Sequence, residues 1–220
     1  MKVLVGERSV YEKLKKFGRV AFVSKDKKLS VESDELMIST DLELGRLLEF
    51  LADLCYDFVV LKGFGEEIAR VEEKYGFKIP VIEDPAGLNR APELESLRSL
   101  VEKLKKGAEN CGAMGIFLGF VRKFDGEKIV KRLEYESFNE ILAEKIAEVE
   151  AKIIKDPGVK NVKIYHKLGK LLPGEDIVYI AVVGEHRKDI WKPLLNAVEL
   201  MKNELPIWKK EVFENGERWV

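Results

Sequence analysis

The chain has 220 residues, 46% hydrophobic and 35% charged, with 38 Lys and Arg set against 39 Asp and Glu. This composition excludes a disordered or fibrous protein and leaves room for one to two domains with a sizeable core. A net charge of -1 argues against a general nucleic-acid binder, which needs many cations on one face. No apolar run approaches the about 20 residues of a membrane span, and two cysteines without an apolar leader give the expectation of a reduced, cytoplasmic protein.

The first half alternates short apolar runs with amphipathic stretches. Lys2 to Val5 reads as a strand, Tyr11 to Lys16 as a helix and Val20 to Val23 as the next strand. A strand near Leu36 to Ser39 follows, then a helix that opens at Asp41 and carries Leu47, Leu48, Leu51 and Leu54 on one stripe. Phe58 to Leu61 is a further strand, Glu66 to Tyr75 a short helix, and Ile79 to Ile82 a last strand before Asp84-Pro85. The alternation predicts a small parallel-sheet α/β domain over residues 1–106. Leu94 to Lys106 reads as an amphipathic helix leading to the boundary at Gly107.

The second half, residues 107–220, has longer strands and two long helices. Ala113 to Val121 and Ile129 to Glu136 read as strands joined across Asp125-Gly126. Leu142, Ile146, Val149 and Ile153 mark one face of a helix that Asp156-Pro157-Gly158 stops. Val162 to Leu168 and Ile177 to Val183 are strands linked through Pro173-Gly174, the second apolar enough to be central. Trp191, Leu194, Val198, Met201 and Leu205 mark the second helix, Pro206 ends it, and a hairpin turning at Asn215-Gly216 closes the chain.

Little of the usual catalytic vocabulary is present. There is no Walker-type phosphate loop, no dinucleotide fingerprint and no nucleophile elbow. Two histidines, His166 and His186, and two separated cysteines do not make a metal site, so neither a metal nor a cofactor is expected. Glu134 and Glu136 share a strand face and read as partners in a solvated cross-strand salt bridge rather than as an acid/base pair. His186-Arg187 directly follows the most apolar strand, where cations and backbone donors are able to converge on an anion. Pro206-Ile207-Trp208-Lys209-Lys210-Glu211 joins a helix stop, a large aromatic and two cations.

Taken jointly, Phe117-x-Gly119-x-Val121-Arg122, Leu133-Glu134-Tyr135-Glu136, His166-x-x-Gly169, Pro173-Gly174-Glu175, His186-Arg187, Pro206 to Glu211 and Gly216-x-Arg218-Trp219-Val220 resemble the catalytic subunit of molybdopterin synthase, the MoaE family, over residues 112–220. The resemblance implies an α+β domain, an α/β hammerhead with a mostly antiparallel sheet, and a homodimer at the centre of a heterotetramer. It implies sulfur transfer in molybdenum or tungsten cofactor synthesis. A small ubiquitin-like subunit ending in Gly-Gly donates sulfur from its terminal thiocarboxylate to cyclic pyranopterin monophosphate, giving molybdopterin. By position, the family's arginine falls on Arg122, its His-Arg pair on His186 and Arg187, and its two lysines on Lys202 and Lys209.

The resemblance makes Arg122, His186 and Arg187 the expected substrate-binding cations for the phosphate, and Lys202 and Lys209 the catalytic lysines, with Lys209 facing the sulfur donor. Phe120 or Trp208 would suit the walls of a channel for a glycine tail. Lys188 to Pro193 departs from the family's usual sequence after His-Arg, and many members carry further basic residues past the Trp-Val pair. Tyr56 to Phe64 is similar to a strand motif of the MobB family of nucleotide-binding adaptors, but Gly6-Glu7-Arg8-Ser9 offers no phosphate loop and Lys62 stands where that family has an acid. A non-catalytic adaptor that binds ubiquitin-like tails is the alternative reading of the whole chain.

Overall fold

The computed structural model describes residues 1–220, apart from the side chains of Asn139 and Glu140. The chain divides into two compact units, Met1–Glu73 with Phe77–Leu100, and Lys74–Gly76 with Val101–Val220.

The first unit is built on a five-stranded sheet: β1 (Lys2–Val5), β2 (Val20–Lys25), β3 (Leu29–Glu32), β4 (Met37–Thr40) and β5 (Phe58–Lys62), in the spatial order β1-β5-β2-β3-β4. It is parallel only across β1, β5 and β2; β3 and β4 add antiparallel edges, so the expected parallel layer is a mixed sheet. Strand β3 escapes the pattern reading because its Leu29 and Val31 are only two alternating apolar residues beyond a charged turn. Helix α1 (Arg8–Leu14) seals one core with Val10, Tyr11 and Leu14 against Leu4, Phe22 and Val60. Helix α2 (Leu44–Asp53) buries Leu44, Leu47, Leu48 and Leu51, the stripe expected from its spacing.

Ile79 to Ile82 is not a strand. Pro80 has no N–H to give a ladder; its carbonyl accepts from Val5 N at 2.9 Å, and one bridge, Val5 to Val81, is all that forms. The turn after β1 carries exposed ion pairs, Lys62 with Glu7 at 2.5 Å and Arg8 with Glu32. Helices α3 (Glu66–Tyr75) and α4 (Leu97–Lys105) follow, and the division between the units falls inside α4.

The second unit holds two antiparallel sheets. Strand β11 (Asp176–Gly184) lies between β6 (Ala113–Phe120) and β9 (Val159–His166). The other sheet runs β10 (Gly169–Leu171), β8 (Lys128–Glu136), β12 (Trp208–Phe213), β13 (Gly216–Trp219), with β7 (Phe124–Asp125) paired on β8. The strands either side of Asp125-Gly126 are therefore not one hairpin. Only β7 turns back on β8, while β6 belongs to the β11 sheet, because Val121 N leaves to bond Glu175 O at 2.9 Å.

Helices α5 (Asn139–Ile153) and α6 (Trp191–Glu204) pack on the β11 sheet, with Val149, Ile153, Leu194, Ala197 and Val198 set against Val178, Ile180 and Val182. Gly115 permits α6 to come this close: a Cβ there would lie 3.1 Å from Leu194 and 3.3 Å from Ile190. Among the described residues no helix is long and apolar enough to cross a membrane, and no three His, Cys, Asp or Glu residues are grouped to hold a metal.

Ile180 is fully buried at the middle of β11, between Phe117 and Ile164. Truncation to alanine should cost about 3–4 kcal/mol, read as a lower denaturant midpoint for the second unit.

Candidate active site

The two strands that meet at the end of the chain bring charges together inside the sheet. Along β12 side chains alternate, so Lys209 and Glu211 share one face and Lys210 takes the other. The hairpin from β12 to β13 turns through Glu214-Asn215 and pairs Phe213 with Gly216, which sets Glu211 directly opposite Arg218. Glu211 is only 5% exposed. Its Oε1 accepts from Lys209 Nζ at 3.0 Å, and its Oε2 accepts from Arg218 Nε at 2.7 Å. Burial alone would push the Glu211 carboxyl up; the bonds from Lys209 and Arg218 outweigh it and hold the group below the usual carboxylate range.

The chain of charges continues. Arg218 Nη2 donates to Asp125 Oδ2 at 2.7 Å, and the other oxygen of Asp125 accepts from Arg122 Nη2 at 2.6 Å. Asp125 is placed by the β7–β8 turn, whose Gly126 takes a φ of 61°. Lys209 and Arg122 are thus joined through Glu211, Arg218 and Asp125. Arg122 is 69% exposed and Lys209 is 30% exposed, so both cations reach solvent from a partly buried frame.

Tyr135 lies on β8 directly opposite Lys209. It is buried, and desolvation first, with the Glu211 charge adding to it, pushes its hydroxyl up to about 12; it therefore stays protonated near neutrality. The Tyr135 ring meets His166 edge-on at 4.9 Å. Burial lowers His166 to about 4 against the backbone bond that favours its charged form, and Nδ1 donates to the Lys167 carbonyl at 2.7 Å. His166 is a neutral packing residue here. Lys210 points away from Glu211, pairs with Glu217 at 2.8 Å and lies over the Trp219 ring. Glu134 is bonded at 2.6 Å by Arg132 of its own strand and is mostly covered, so this ion pair is neither the cross-strand nor the solvated one expected from the sequence.

The remaining candidates lie elsewhere in the unit. Lys202 stands on the last turn of α6, 60% exposed and 4.0 Å from Glu199. His186 and Arg187 sit in a short turn between β11 and α6. Asp189 holds that turn by accepting from His186 N at 3.0 Å, and Gly158 (φ 81°) passes so close that a Cβ would meet the Asp189 side chain. The helix separates them from Lys202 by about 20 Å at 1.5 Å per residue. Arg122 follows the opposite end of the β6–β11 ladder, roughly 25 Å away at about 3.4 Å per residue. One chain therefore brings Arg122 and Lys209 together and does not bring His186 and Arg187 to them. Trp208 is half-exposed and meets Phe138 edge-on at 5.9 Å, and Phe120 is exposed as well.

The MoaE protein family matches residues 89–204. The molybdopterin synthase catalytic subunit of Bacillus subtilis (strain 168) is 35% identical over 122 residues, 56% of this chain and 76% of that protein. The chain belongs to the MoaE family. The human molybdopterin synthase catalytic subunit is 32% identical over 110 residues, half of this chain and 58% of its own length. Among solved structures, molybdopterin synthase from Staphylococcus aureus shares 34% identity, covers 54% of this chain and 88% of its own, and superposes with a TM-score of 0.51. A MoaE protein from Burkholderia ambifaria shares 32% identity over 58% of this chain and 84% of its own, with a TM-score of 0.50.

Within the second unit, the motifs gave no role to Asp125, Tyr135, Glu211 or Arg218. The usable signal was strand parity: Lys209 and Glu211 are two apart, and a hairpin at 214–216 brings Arg218 back beside them.

The depressed His166 value has a consequence for stability. An unfolded histidine titrates near 6.5, so between pH 6.5 and 4 the unfolded chain binds the extra proton and stability falls as pH drops, by about 3 kcal/mol in total. Chemical denaturation from pH 7 to 4 should show this slope in the native protein and a shallower one in His166→Gln.

Proposed function

We propose that the chain is the catalytic subunit of a molybdopterin synthase, in which Lys209 meets the thiocarboxylate of a small ubiquitin-like sulfur carrier and Arg122 binds the phosphate of cyclic pyranopterin monophosphate. The observation that carries this reading is the joining of Lys209 to Arg122 through Glu211, Arg218 and Asp125. The thiocarboxylate sulfur bonds to carbon as one C–O bond of the cyclic phosphate breaks, the phosphate staying attached through its other ester, and water then cleaves the acyl–sulfur bond to leave a carboxylate on the carrier, so negative charge enters, shifts and leaves during the reaction. Fixed cations suit that demand: a guanidinium matches phosphate oxygens in pairs, and a lysine supplies a point charge and a proton at the sulfur. Tyr135, neutral and opposite Lys209, adds no competing charge. Trp208, one residue before Lys209 on β12, takes the opposite face of the strand, where it meets Phe138 edge-on, and Lys202 is a further cation on the adjoining helix.

His186 and Arg187 enter this scheme from a second copy. They are too far from Arg122 within one chain, and a homodimer supplies them to the neighbouring site without any change in fold. Each site would then hold Lys209 and Arg122 from one protomer and His186-Arg187 from the other.

Two experiments test this. In single-turnover assays with a thiocarboxylated carrier and the cyclic pterin, Lys209→Ala should slow sulfur transfer roughly 10²-fold or more. Lys210→Ala, which changes the opposite face of β12, should have little effect. Equal losses at the two positions would remove Lys209 from the centre of the site. Separately, mixing subunits of Lys209→Ala with subunits of Arg187→Ala, each inactive alone, should restore up to about a quarter of native activity by random pairing if the site is shared across the dimer. No recovery would mean that each chain works without its partner's His186-Arg187.

A further inference from the structure

The sulfur-transfer reading uses Lys209 and Arg122 and leaves the residues between them without a task. We propose that Arg218 is the positioning residue of this site: by bonding Glu211 and Asp125 together, it sets both cations from one guanidinium. The proposal rests on the reading that Lys209 meets the sulfur donor and Arg122 the phosphate.

Three features of the geometry support it. First, Glu211 is almost wholly buried yet its two oxygens serve different partners, Oε1 taking Lys209 and Oε2 taking Arg218. With Arg218 present, the guanidinium and the ammonium share the buried charge, and Lys209 keeps a single 3.0 Å contact from a partly exposed position. Without it, Lys209 becomes the only cation bonded to this carboxylate and is drawn inward, away from an incoming tail.

Second, Arg218 reaches both carboxylates because its donors form a rigid fork: Nε and Nη2 lie 2.7 and 2.6 Å from Glu211 Oε2, and Nη2 also lies 2.7 Å from Asp125 Oδ2. The guanidinium sits 5.4 Å from the Phe213 ring centre, which fixes its plane. A lysine has neither the fork nor the stacking face. Third, Asp125 spends its remaining oxygen on Arg122, so the set contains three cations on two carboxylates and is left with positive charge at its exposed ends. An anionic thiocarboxylate and a phosphate are the ligands such a set accepts.

The decisive comparison uses the full-length native protein, Lys209→Ala, Arg218→Ala, Arg218→Lys and the double variant Lys209→Ala/Arg218→Ala, assayed for single-turnover sulfur transfer with the carrier and the cyclic pterin. Arg218→Ala is expected to slow the transfer step about tenfold at saturating substrate and to raise KM for the phosphate-bearing pterin several-fold. Arg218→Lys should recover part of the rate and little of KM, since one ammonium cannot bridge both carboxylates as the fork does. The double variant should be no more than about twofold slower than Lys209→Ala, because Arg218 acts on the transfer step through the lysine already removed. Losses that multiply in the double variant, or a native rate in Arg218→Ala, overturn the proposal.

A second readout does not depend on turnover. Competitive acetylation followed by peptide mass spectrometry should show Lys209 labelling at least threefold more slowly in Arg218→Ala than in the native protein, with Lys210 unchanged. Equal changes at both lysines, or none at Lys209, overturn the proposal even if transfer is affected. If native protein shows no sulfur transfer, or Lys209→Ala is silent, the functional reading fails, and the labelling alone still decides whether Arg218 positions Lys209.

Discussion

A carboxylate buried in the middle of a β-sheet is costly to hold, and the Glu211 side chain is held by two cations that approach from different places in the sequence. Leaving such a charge without one of its partners typically costs 3–5 kcal/mol, so the strands that deliver those partners are bound to each other by more than their ladder. Lys209 comes from the same strand and Arg218 from the hairpin that follows. Strand β12 lies between β8 and β13, so the position of Glu211 also fixes which β8 residues face it: Tyr135 stands opposite Lys209 and Leu133 opposite Glu211. The charged frame and the register of the sheet are one constraint.

Around that frame the second unit separates work between its two sheets. The β6–β11–β9 sheet with α5 and α6 is an apolar support whose central strand is buried on every residue from Val178 to Gly184. The β10–β8–β12–β13 sheet carries the ionisable groups. His186-Arg187 belongs to the supporting sheet and stands at the far end of α6 from Lys202, a consequence of a helix that must run the length of the sheet it covers. Under the proposed function, a site that draws cations from both places is completed by symmetry, because a two-fold axis returns the far end of one protomer to the near end of another.

The first unit reads differently. In a nucleotide-binding relative, the turn after the first strand would present backbone N–H groups to phosphates. Here that turn carries Glu7 and Arg8, each engaged by a partner across the sheet, and Gly6 is backed by the Ile82 carbonyl, which a Cβ would approach to 3.0 Å. The charged side chains at this turn pair with residues of neighbouring strands.

The sequence by itself determined the helices and the central strand of the second unit, because their apolar periodicities run over long, uninterrupted stretches, and it named Lys209, Arg122, Lys202, His186 and Arg187 through motifs that resemble the MoaE family. It did not determine which of those residues meet. Strand partners are chosen by packing between segments far apart in the chain, so the Asp125-Gly126 turn could be seen while the separation of β6 and β8 into different sheets could not. Pro80, read in a run of apolar neighbours, hid a missing ladder donor. The final hairpin shows the limit most clearly. Asn215-Gly216 marked a turn, but the tertiary structure turns one residue earlier, and that shift sets Arg218 beside Glu211. A two-residue change of register keeps every side chain on its face and alters every neighbour, and so the charged link from Lys209 to Arg122 was decided only when the strands were paired.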